Sequence, residues 1–150
     1  MGMGYLLKKT VKLILLLLET LLDAVLMLSL CLALMGVCTA MMESCTGEPC
    51  FFLGYKIVHI SSSSMEEAIG KGDIVLIREA DKDEVSPGDV LFFRKNGGYV
   101  VHRFVGIDEE RRAAGADGYM ITKGDNNNIA DVERLDPEDI LGKVVMNIGI

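Results

Sequence analysis

The stretch DVLFFRKNGGYVVHRFVGI, residues 89–107, decides how the chain beyond its first third is read. Two runs rich in β-branched and aromatic residues, Asp89–Arg94 and Tyr99–Ile107, flank the turn residues Asn96-Gly97-Gly98. Runs of this kind bounded by turn chemistry read as strands. Within Tyr99–Ile107 the period of two puts His102 on the face of Val100 and Phe104, with Arg103 pointing the other way. The same patterning recurs at Lys56–Ile60, Asp73–Arg78, Tyr119–Lys123 and Ile140–Ile148. Gly70-Lys71-Gly72, Ser86-Pro87-Gly88-Asp89 and the polar stretch Asp108–Gly118 separate these runs. Only Met65–Ile69 and Pro137–Ile140 have a helical look, and both are short. The expectation is a mostly-β domain over residues 56–150, entered through a juxtamembrane linker at 44–55.

Upstream the chemistry changes. Between Leu13 and Met42 the only charges are Glu19 and Asp23, and Ala24–Met42 is nineteen residues without any. As a helix, that run spans roughly 28 Å, about the hydrocarbon thickness of a bilayer. Lys8, Lys9 and Lys12 precede it and Glu43 and Glu48 follow. The positive-inside bias then predicts a cytosolic N-terminus, a single-pass span within residues 1–43 and an extracytoplasmic or lumenal domain. The apolar region is too long for a cleaved signal peptide, so an uncleaved signal anchor is expected. Leu30 and Val37 precede Cys31 and Cys38, where a lipidated cysteine needs a small residue. Glu19 and Asp23 share a helical face with Lys8 and Lys12. That face is either a wet stripe at the lipid interface or the contact for a partner's membrane helix. Phe51-Phe52-Leu53 either dips into the membrane or belongs to the core. Cys45 and Cys50, if bridged, close a small loop worth roughly 2 kcal/mol. The formal charge of −7 opposes nucleic-acid binding, which needs a basic patch.

Few residues carry chemistry. The chain has two histidines. His59 has no partner type nearby and reads as structural, whereas the apolar setting of His102 favours the neutral imidazole that a general base requires. Ser64 with Glu67 fits a capping box opening a short helix. A serine at such a turn is also exposed beside backbone N–H groups able to stabilise an oxyanion, but its hydroxyl needs a base. Gly124-Asp125-Asn126-Asn127 reads as an Asx-rich turn, with Asp131 six residues after Asp125. It fails as a calcium loop, because Ile129 and Ala130 stand where an oxygen ligand and glycine are needed. An aspartate from this segment, turned toward His102, would fix its tautomer.

In order along the chain, Ser62-Ser63-Ser64-Met65-Glu66, Gly72-Asp73, Ser86-Pro87-Gly88-Asp89-Val90, Val101-His102-Arg103 and Thr122-Lys123-Gly124-Asp125-Asn126-Asn127 resemble the boxes of type I signal peptidases. Histidine in the base position is similar to the archaeal and endoplasmic-reticulum-type branch. The resemblance implies a signal-peptidase-like β domain behind an N-terminal transmembrane helix, with an apolar surface resting on membrane lipid. It implies Ser64 as nucleophile, His102 as general base, Asp131 as the acid orienting the histidine and Asp125 as the second aspartate of the last box. Ser62 matches a serine whose hydroxyl helps the Ser64 N–H hold the oxyanion, and Met65 completes that oxyanion and substrate-binding box. The implied substrates are exported preproteins, cut after small residues at −1 and −3. No metal or organic cofactor is implied. Ser63 and Glu67 depart from the family's usual glycine and proline, and Ala130 replaces an aspartate common in the eukaryotic relatives. The alternative function is a non-catalytic, membrane-anchored signal-peptide-binding or assembly module on the same scaffold.

Overall fold

The computed structural model describes residues 2–149, divided after Cys50 into two compact units. The first is a single helix, α1 (Met3–Thr46), 44 residues long and with no buried side chain. Leucine, the commonest residue there, loses little rotamer freedom in a helix, and no proline interrupts it. Thr20, Ser29 and Thr39 return their hydroxyls to carbonyls one turn back, at 2.8–2.9 Å. Such internal bonds hide polar hydrogens that lipid cannot satisfy. Gly47, left-handed at φ 69°, caps the helix with its N–H on the Glu43 carbonyl. The helix is long and apolar enough to cross a membrane. It runs without a break from the lysine cluster through Glu19 and Asp23, and it includes Glu43, Cys45 and Thr46. All four cysteines are free, so Cys45 and Cys50 are not bridged.

The second unit is a six-stranded antiparallel sheet: β1 (Tyr55–His59), β2 (Ile74–Glu79), β3 (Val90–Lys95), β4 (Gly98–Ile107), β5 (Met120–Lys123) and β6 (Ile140–Ile148). Each matches an expected strand to within about a residue. Their order is β1-β2-β6-β3-β4-β5, so the last strand inserts at the centre. Asn96 (φ 51°) and Gly97 (φ 74°) make the two-residue turn joining β3 to β4, the left-handed pair that matches strand twist.

β3 is buried on both faces. Phe92 packs with Ile60, Met65, Ile69, Val75 and Ile77, while Leu91 and Phe93 pack with Phe104, Met120, Leu135 and Ile140. The second of these clusters is the apolar bed beneath His102, whose register partner is Leu91. Phe51 packs against the first cluster, but Phe52 and Leu53 are exposed, Leu53 by 82%.

Two local expectations fail. Met65–Ile69 is a run of hydrogen-bonded turns, because Glu67 adopts φ 84°, outside the helical region. Conversely, the polar stretch 108–118 contains a short helix, α2 (Glu109–Ala113). Asp108 caps its Arg111 N–H, with acids in the first turn and arginines in the last. Residues 137–139 form one turn of 3₁₀ helix opened by proline.

Candidate active site

Three segments meet at the middle of β4. The Ser64 turn follows β1, His102 lies within β4, and Asp131 is on the loop leaving β5. His102 Nδ1 lies 2.8 Å from Asp131 Oδ2, and His102 Nε2 lies 3.1 Å from Ser64 Oγ. The carboxylate only accepts, so Nδ1 carries a proton, and in the neutral ring Nε2 offers its lone pair to the serine hydroxyl. The His102 side chain is 12% exposed and the Phe93 ring stands edge-on beside it, 6.5 Å between centroids.

Asp131 is fixed from several directions. Its N–H donates to the Thr122 carbonyl, the Thr122 hydroxyl donates to Oδ2 at 2.7 Å, and Arg134 donates to its backbone carbonyl at 2.7 Å. Burial pushes the carboxyl's pKa up. The hydrogen bonds from His102 and Thr122, with the charges of His102 and Lys95, outweigh that and hold it below the usual carboxylate range. Thr122, wholly buried, sits in one of the quoted motifs, yet the sequence reading assigned it no role. A hydroxyl on the same strand face as Met120 was the available signal.

Asp125 lies elsewhere. Its carboxylate forms a two-pronged pair with Arg103, at 2.8 and 2.6 Å, and the same guanidinium donates to the Gly88 carbonyl. Among the described residues it makes no bond to His102. The pair anchors a segment that cradles the serine turn. Asn126 N–H donates to the Ser64 carbonyl at 2.9 Å, and its side-chain amide donates to the Ser63 carbonyl. Asp125 N–H approaches Met65 Sδ at 3.4 Å. Met65 is thereby a buried peg beneath the turn rather than a surface contact. Gly124 passes so close that a Cβ there would stand 2.5 Å from the Ser64 carbonyl oxygen.

Ser62 Oγ is 3.2 Å from Ser64 Oγ. With the Ser64 proton directed to His102, the Ser62 hydroxyl is the donor of that pair. The Ser64 backbone N–H makes no hydrogen bond among the described residues. At the other end of the turn, Asp73 Oδ2 accepts from the Gly70 N–H and from Asn147. His59 is exposed at the end of β1, away from this network.

A serine hydroxyl hydrogen-bonded to a neutral imidazole, itself bonded to a buried carboxylate, is an arrangement that activates oxygen as a nucleophile. The Peptidase S24-like family matches residues 50–145, which include Ser64, His102, Asp125 and Asp131. The chain belongs to that family. It is 35% identical over 100 residues to signal peptidase I W of Bacillus subtilis, covering 65% of this chain and 50% of that one. It is 32% identical over 77 residues to the signal peptidase complex catalytic subunit SEC11C of Homo sapiens (50% of this chain, 38% of that one). With SEC11 of Verticillium alfalfae the identity is 37% over 106 residues, 61% of this chain and 57% of the relative. The chain thus spans about half the length of the curated relatives it matches, or less. These relatives bear out the resemblance to type I signal peptidases of the histidine-bearing branch.

Proposed function

We propose that this chain is a membrane-anchored serine endopeptidase that removes signal peptides from exported preproteins. The observation that carries the reading is the hydrogen-bonded line from Ser64 Oγ through His102 to Asp131 Oδ2. In the proposed reaction Ser64 Oγ attacks the scissile carbonyl carbon while its proton passes to His102 Nε2. The Asp131 carboxylate steadies the resulting imidazolium. The oxyanion is received by the Ser64 N–H and the Ser62 hydroxyl. His102 returns the proton to the leaving amine, and the acyl group remains on Ser64. Water then attacks the ester by the same proton route in reverse, releasing the second product. Asp125 acts as a positioning residue through Arg103 and the Gly124–Asn127 segment.

Substrate is read as an extended segment bound by backbone hydrogen bonds along the strands, with small residues at −1 and −3 of the cut. α1 serves as the anchor, its lysine end in the cytosol and the sheet on the opposite side. An apolar stripe supports a lipid contact for the sheet unit: Ile57, 68% exposed, lies across from Leu76, which pairs with exposed Met146. A partner's membrane helix along the Glu19–Asp23 face belongs to the same reading.

The test is cleavage of a model preprotein in detergent by the wild type and Ser64→Ala. Product from the wild type alone is expected. Equal product from both would reject Ser64, and none from either would favour a binding module.

A further inference from the structure

The Asp131 carboxylate oxygen that meets His102 also faces a third group. Lys95, the last residue of β3, places Nζ 3.6 Å from Asp131 Oδ2, with its side chain 24% exposed. Nζ and His102 Nδ1 stand 3.6 and 2.8 Å from one oxygen, so they are at most 6.4 Å apart. We infer that Lys95 is a positioning residue that shares the Asp131 carboxylate with His102 and keeps the imidazole uncharged under more acidic conditions. The inference rests on the proposed role of His102, but its test does not need turnover.

The physical argument is a competition for one negative charge. An isolated buried carboxylate would favour the imidazolium strongly. An ammonium on the same oxygen offsets part of that attraction and repels the second cation directly. The other cations around the site are already balanced locally. Arg103, on the same strand as His102, is held by Asp125, and Arg134 is held by Asp108, whereas Glu133, on the Asp131 loop, accepts from the neutral Asn96 amide and adds a negative charge that lessens the effect of Lys95. Among the described residues Lys95 has no ion pair other than Asp131. Its charge therefore acts on the Asp131–His102 couple rather than on a carboxylate of its own. Where the reaction needs neutral His102, Lys95 widens the usable pH range downward.

The experiment is a titration of the His102 ring protons by NMR on the full chain in detergent micelles, comparing the wild type with Lys95→Met, Lys95→Gln and Lys95→Arg. The two histidines of the chain are told apart with His59→Gln. The neutral variants are expected to raise the His102 midpoint by about 0.5–1 pH unit, given an effective dielectric near 20 and partial exposure. Lys95→Arg should restore the wild-type value. The acid limb of preprotein cleavage should move by the same amount, with KM little changed. An unmoved or lowered midpoint in both Lys95→Met and Lys95→Gln overturns the inference. A raised midpoint without any cleavage would sink the proposed function and leave the inference standing.

Discussion

Gly124→Ala is the sharpest perturbation of the serine turn, because it touches no group in the proposed chemistry. The added Cβ would lie 2.5 Å from the Ser64 carbonyl oxygen and 2.8 Å from Asn127 Nδ2, where ordinary contact begins near 3.4 Å. The Asn127 amide can swing away, but the Ser64 carbonyl is backbone. Relief therefore requires the two segments to part by about 0.9 Å, the gap between those two distances. That displacement breaks the Asn126 N–H bond to Ser64 and stretches the 3.1 Å contact between Ser64 Oγ and His102 Nε2 beyond hydrogen-bonding range. Overpacking of this kind costs about 1–3 kcal/mol. In a domain of this size each kcal/mol lowers Tm by roughly 4–8 °C. Misplacing a nucleophile by about 1 Å costs on the order of 100-fold in rate. The assay is steady-state preprotein cleavage in detergent at a temperature where the variant is fully folded, alongside a thermal melt. Gly142→Ala is the control: its Cβ would stand 2.5 Å from the Arg78 carbonyl, between β2 and β6. It should lose comparable stability but keep its turnover per folded molecule. Wild-type kcat in folded Gly124→Ala would refute the claim that this segment sets the position of Ser64.

Further outcomes follow from the same geometry. Asp131→Asn turns an amide N–H toward His102 Nδ1, favours the tautomer protonated at Nε2 and should lower kcat roughly 10³–10⁴-fold with KM nearly unchanged; a loss under tenfold would count against the orienting role. Acid stability is expected to depend on Asp89, Asp108 and Asp131, each held below the usual carboxylate range. For Asp89 burial works against the Lys143 bond that wins, and for Asp108 the Arg111 N–H and Arg134 bonds dominate. Because their folded values are depressed, their stabilisation is complete above the unfolded value of about 3.9 and disappears as pH falls through the lower folded values. Urea midpoints that stay flat below pH 4 would contradict this. Glu67, at φ 84°, pays a left-handed cost of about 1–2 kcal/mol, so Glu67→Gly should raise Tm by a few degrees. Glu67→Pro, whose ring fixes φ near −65°, should lower it. Paired melts decide the sign.

What the chain's local chemistry determined by itself is its division of labour. Nineteen uncharged residues after three lysines specify a helix that lipid suits, because such a segment satisfies its own backbone and has no polar surface to hydrate. Period-two runs punctuated by Asn96-Gly97 and Ser86-Pro87-Gly88 specify strands almost to the residue, since turn dihedrals and pleat alternation are local properties. The capping pattern of α2, Asp108 followed by Glu109, Glu110, Arg111 and Arg112, was equally local and was passed over as a polar loop. Other features belong to the tertiary structure alone. β6 enters between β2 and β3, and Asp125 turns to Arg103; the family resemblance pointed to Asp131 as the partner of His102, but local chemistry left either aspartate open, because both outcomes depend on register between segments far apart in the chain. Glu67 likewise leaves the helical region, at φ 84°, in a turn whose Ser64 and Met65 are held by contacts from Asn126 and Asp125. Lys95 had no local signature either, since its position beside Asp131 exists only once β3, β4 and β5 are aligned.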